Sequence, residues 1–159
     1  MQSINYFLAS ITSFSGLLIG LILMKIAQEE QKPLKKYFVL FRKILLFVIF
    51  AFLVFYYFNE FFYFIALILL MLFLLLIEYK VKDLSKSSAL IYAILGILFY
   101  LSSKNTNLFA IESSLILMYG LPAMSLIYNK NKSQQMLPYS AAFIAVSNLL
   151  FLTTSRFLF

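Results

Sequence analysis

The run ILLFVIFAFLVFYYFNEFFYFIALILLMLFLLLIEY, residues 44–79, decides the fold. It is too long for one membrane crossing, and a single polar pair, Asn59-Glu60, divides it. A helix needs about 20 mostly apolar residues to cross the hydrocarbon layer, so the two halves read as consecutive spans joined by a tight turn. Tyr56, Tyr57, Phe61, Phe62 and Tyr63 crowd that turn, as aromatic side chains do at a membrane–water interface.

The same reading extends outward in both directions. It gives an all-α, polytopic integral membrane protein, a single transmembrane domain over residues 1–159 with six spans at 4–27, 37–58, 61–79, 87–103, 108–128 and 137–158. Pro138 suits the first turn of the sixth helix, where its missing N–H costs nothing. Hydrophobic residues form 64% of the chain and charged residues 12%. A soluble domain carries about 45–50% apolar residues, and no core of this size would absorb the excess. The first segment has no basic n-region, and its apolar run exceeds the about 7–15 residues usual in a secretion signal, so it reads as a retained span.

The net charge of +7 is explained by where the basic residues fall. The first, third and fifth connections and their flanking helix ends hold 11 of them, from Lys25 through Lys132, whereas the opposite side holds only Lys104 and Arg156. Short basic loops stay in the cytoplasm, which predicts cytoplasmic odd-numbered loops and both termini outside, in the cell membrane. Basic charge is then a topological label, and no nucleic-acid partner is expected.

Helix association in lipid depends on close backbone approach, because lipid tails are as apolar as leucine. On the first helix Ala9, Ser13, Gly16, Gly20 and Ala27 form one narrow face. Ala89, Ala93 and Gly96 make a similar seam on the fourth. On the sixth, Ser140-Ala141, Ser147-Asn148 and Thr154-Ser155 recur every seven residues, and the helical period of about 3.6 brings them to one stripe. The second and third helices hold one alanine each, Ala51 and Ala66, among bulky side chains. These patterns predict a core of helices 1, 4, 5 and 6, with helices 2 and 3 peripheral.

Catalytic chemistry finds few candidates. The chain has no His, Cys or Trp, and its sole Asp, Asp83, falls in a loop. Histidine-dependent hydrolysis, Cys/His metal sites, thiol chemistry and paired-Asp catalysis are therefore excluded. Glu29-Glu30 lack the Arg and His that accompany paired glutamates in CAAX-type membrane proteases. No enzyme, cofactor or metal is expected.

Glu112 is the one acidic side chain clearly inside a span. Such groups are expensive in the membrane and face a partner, a cavity or an ion path. One reading makes it a cation- or proton-binding group assisted by Ser113, Ser114 and the stripe on helix 6; the other pairs it with Arg156 at similar depth. Asn148 is the deepest strongly polar group, either bonded between helices or facing a ligand between helices 5 and 6, with Ser147 beside it. Gly120 and Pro122 are expected to bend helix 5, either lining a route or merely fitting the packing. Glu29, Glu30, Lys35 and Lys36 in the first loop either neutralise one another or offer a cytoplasmic docking surface.

These residues point to a small non-enzymatic transporter or channel for an ion or small solute, with its route among helices 1, 4, 5 and 6. The alternative is a non-catalytic membrane subunit or scaffold that joins a protein partner or a second copy of itself. In either case the bilayer is the first partner.

Overall fold

The computed structural model describes residues 3–26, 28–80, 84–126 and 141–157. They form helices α1 (Ser3–Ile26), α2 (Gln28–Tyr56), α3 (Phe61–Lys80), α4 (Leu84–Ser102), α5 (Thr106–Ser125) and α6 (Ala142–Phe157). The all-helical expectation holds. Three segments are long and apolar enough to cross a membrane, Ile4–Leu23, Lys36–Tyr56 and Thr106–Ser125. The apolar parts described in the other helices, Phe61–Ile77, Leu90–Ser102 and Ala142–Thr154, are shorter.

Helix boundaries depart from the hydropathy boundaries where polar sequence continues a helix. α2 begins at Gln28 and carries Pro33 inside it, so the expected first loop is helical. Glu, Gln and Lys are good helix formers, and apolarity marks where lipid would begin, not where backbone hydrogen bonding begins. α5 stops at Ser125, where the Leu126 N–H donates to the carbonyls of Pro122 and Met124. Residues 127–140, with Pro138 and Ser140, lie outside the described residues.

α5 is the central element. Its most extensive partner is α1, its next α2, and it also meets α4; α4 in turn packs along α6. Gly16 and Gly20 make the α1–α5 contact possible. A methyl group at Gly16 would overlap the Leu117 carbonyl, and one at Gly20 would lie 2.7 Å from the Leu121 carbonyl oxygen. From the other side, a methyl at Gly120 would lie 2.6 Å from the Leu17 nitrogen. Ser13 adds a hydrogen bond, its hydroxyl donating to the Ser113 carbonyl at 3.2 Å. Contacts advance together along both helices, from 13/113 through 16/117 to 20/121, so α1 and α5 run parallel. On α4, Gly96 brings α6 close in the same way, with a Cβ there meeting the Phe143 carbonyl oxygen at 2.9 Å. Ala9 and Ala93 are half-buried beside these seams.

The expectation for α2 needs correction. It buries Leu45, Leu46, Ile49, Phe50 and Leu53 and lies against α5. Small residues report where backbones approach closely; a helix can also pack at ordinary distance by interlocking large side chains, and α2 does so. α3 alone is peripheral, meeting mainly α2 and α4 and exposing Phe62, Leu69, Leu72 and Phe73. α1 is one-sided: its seam is buried, while Ile4, Leu8, Ile22 and Ile26 are exposed.

The α2–α3 and α4–α5 turns meet at one end of the bundle. Tyr57 donates to the Leu101 carbonyl at 2.9 Å. Its ring stacks on Tyr63, and the Lys104 ammonium donates to the Tyr63 hydroxyl at 3.0 Å. That hydrogen bond raises the Lys104 pKa from its ordinary value of 10.5. The ammonium also lies 4.3 Å from the Tyr63 ring centroid, where the ring's negative face attracts it. Aromatics that crowd the Asn59-Glu60 turn in sequence thus tie three helices together.

Candidate functional site

α5 starts sharply because Asn105 caps it, its side-chain oxygen accepting from the N–H groups of Asn107 at 3.0 Å and Leu108 at 3.2 Å. That cap fixes the phase of the helix. Glu112 then falls about two turns inside, one heptad before Tyr119, so both project along nearly the same line of α5. Tyr119 meets Tyr92 of α4, ring centroids 6.0 Å apart, and Phe109 meets Phe99 of α4 at 4.7 Å. Glu112 therefore belongs to the bundle interior. Its exposure is 0%, and neither carboxylate oxygen has a hydrogen-bond partner among the described residues.

The expected helpers of Glu112 are engaged elsewhere. The Ser113 hydroxyl donates to the Phe109 carbonyl at 2.6 Å and the Ser114 hydroxyl to the Ala110 carbonyl at 2.9 Å. Both groups satisfy their own helix. The α6 stripe turns to α1: Asn148 donates to the Ser10 hydroxyl at 3.2 Å and to the Ile144 carbonyl at 2.9 Å. Buried Ser147 donates to the Ile144 carbonyl, and its own carbonyl accepts from Tyr6 at 3.1 Å. Asn148 also borders a shallow groove on α6 with Ala145, Leu149, Leu152 and Thr153. None of these groove residues belongs to α5.

Gly120 is a crossing point for α1 inside a continuous helix, the closest approach to it coming from Gly16 and Leu17. Pro122 is buried one half-turn further on. Its missing N–H withdraws the intrahelical donor from the Met118 carbonyl, yet helical backbone continues to Ser125. Lys36 is exposed on α2. The Glu29, Glu30, Lys35 and Arg156 side chains lie outside the described residues, and with them the expected docking surface and the Glu112–Arg156 pair.

Two buried polar groups stand out that sequence reading passed over. Arg42 falls in sequence among the basic residues of the first connection and its flanking helix ends, yet only 8% of its surface is exposed, while Lys43 next to it is exposed. The signal was present: Arg42 is in helical phase with Leu45, Leu46, Ile49 and Leu53, the buried face of α2. Tyr92 of α4 is also buried, and its hydroxyl has no hydrogen-bond partner among the described residues. The second is Tyr6, in phase with Ser10, Ser13, Leu17 and Gly20 and fully buried against Phe99, Phe109 and Phe151.

No family model, characterised protein or solved structure matches this chain. Among the described residues no group of three or more His, Cys, Asp or Glu side chains converges as a metal site would require. What the interior offers instead is one fully buried carboxyl group on the central helix.

Proposed function

We propose that the protein is a small non-enzymatic transporter or channel that moves an ion or small solute past Glu112. The proposal includes six spans in the cell membrane, cytoplasmic odd-numbered loops and both termini outside. Two features support that threading. The second and fourth connections share one end of the bundle, and α1 and α5 run parallel, as two odd-numbered spans must. The steep lysine asymmetry supplies the orientation.

One observation carries the functional reading: a carboxyl group on the most central helix with 0% exposure and no hydrogen-bond partner among the described residues. A group left in that state is destabilising, and a purely structural role would be better served by leucine. Retaining it is rational where the group must take up and release something.

Glu112→Gln tests this directly because it keeps shape and removes the ionisable group. In reconstituted vesicles the native protein is expected to dissipate an imposed gradient, and the variant to fall to the level of empty vesicles, with helix content and elution unchanged. Equal flux from both proteins would remove Glu112 from the route. Absence of flux under proton, alkali-cation and anion gradients, together with stoichiometric co-purification of another membrane protein, would favour the subunit reading, for which the thinly packed α3 would be the docking element.

A further inference from the structure

We infer that the species bound at Glu112 is a proton, and that it is reached along the α2–α4–α5 interface past Arg42, Tyr92 and Tyr119 rather than through the α1–α6 contact. This deepens the transport reading above and rests on it. Glu112 is fully buried, and neither of its carboxylate oxygens has a hydrogen-bond partner among the described residues, so nothing seen there offsets the cost of a negative charge. A proton needs only one oxygen lone pair, and binding it also removes the charge that makes a carboxylate so unfavourable inside a bundle.

Tyr119 lies one heptad beyond Glu112 on the same line of α5 and meets Tyr92 of α4 edge to face. The Tyr92 hydroxyl is buried without a hydrogen-bond partner among the described residues, and Arg42 lies on the buried face of α2, the helix that packs against α5 and meets α4. Three helices thus contribute polar groups to one interior line, the Arg42 end lying towards the first connection. The α1–α6 contact is different: Tyr6, Ser10, Ser147 and Asn148 bond to one another or to backbone there, which seals that side.

Other ionisable groups facing the interior are Tyr6 on α1, Tyr57 just beyond α2 and Tyr100 on α4. Tyr6 and Tyr57 donate to backbone carbonyls, and none of the three bonds to Glu112. In transfer, a hydronium ion gives its proton to a Glu112 oxygen, leaving water and a neutral carboxyl; release to water on the other side restores the carboxylate. Tyr92 and Tyr119 would hold water or pass the proton as hydroxyl donors and acceptors. Arg42, always charged, would keep metal cations out of the same interface.

The test has two readouts. In vesicles carrying an internal pH dye, the native protein is expected to pass protons, Glu112→Gln to pass none, and Tyr92→Phe to be slowed several-fold. Separately, a hydrophobic carbodiimide, which reacts with protonated carboxyl groups, is expected to label native protein at Glu112, less as pH rises and equally with or without sodium or calcium. Protection by either cation, or Glu112-dependent movement of a metal cation without protons, would overturn the proton assignment and leave the transport reading standing. Unchanged proton flux in Tyr92→Phe would overturn the route. Carbodiimide labelling as expected, with no flux of any ion, would overturn transport while retaining a proton site.

Discussion

Gly16→Leu is expected to prevent stable assembly of the bundle. The α1–α5 contact is the most extensive among the described helices, and at Gly16 even a methyl group would overlap the Leu117 backbone. Backbone cannot rotate away as a side chain can, so the helices must separate along their whole seam. Overpacking a tight core costs about 1–3 kcal/mol and occasionally more; four additional carbons against a carbonyl place this substitution above about 3 kcal/mol. The alanine series grades the effect. Gly16→Ala should be most damaging, Gly120→Ala and Gly20→Ala next, with closest atoms at 2.6 Å and 2.7 Å, and Gly96→Ala mildest at 2.9 Å. Unfolding midpoints in detergent measure the order, and Ala66→Leu on the exposed side of α3 serves as the control without effect. An intact midpoint for Gly16→Leu would mean that α1 does not cross α5 at this point.

Tyr6→Ala is the second large effect. Tyr6 is fully buried and its ring lies 4.2 Å from Phe151, 5.2 Å from Phe99 and 5.7 Å from Phe109. One side chain on α1 therefore holds α4, α5 and α6. Removing a buried aromatic to alanine costs about 3–5 kcal/mol, most of it from the cavity and lost ring contacts. The hydrogen bond to Ser147 is a minor share, since polar contacts between helices in lipid average about 0.6 kcal/mol. Tyr6→Phe should accordingly be mild and Tyr6→Ala severe in the same unfolding assay. Equal losses for both would assign the stability to the hydroxyl instead of the ring.

Helical type, and the six helices among the described residues, were legible because long apolar runs and one polar break leave little alternative. Gly16, Gly20 and Gly96 were legible as seams, since only residues without bulk let backbones meet; which helices they join was not, because a glycine does not name its partner. α2 was misplaced by the same logic, as absence of small residues excludes close approach but not burial. Arg42 was hidden by its neighbours: beside Lys43 and near Lys35 and Lys36 it looks like one more cytoplasmic charge, and only its phase with Ile49 and Leu53 separates it. The opposite holds for Glu112. Its type and depth identify it in sequence, yet Ser113 and Asn148, close in number or similar in depth, point to α1 or to the bundle's own backbone once the helices are assembled.

The account depends most on threading, since α2 and α5 must each cross the bilayer for Glu112 to be held inside it. Natural cysteine is absent, so a single introduced thiol reports its own location. Asn59→Cys, Asn107→Cys and Lys36→Cys are all at exposed positions, and a membrane-impermeant maleimide added to intact cells is the measurement. The account predicts labelling of the first two from outside and of Lys36→Cys only after permeabilisation. Labelling of Lys36→Cys from the same side as Asn59→Cys would contradict it, because α2 would then not cross and the depth assigned to Glu112 would be lost.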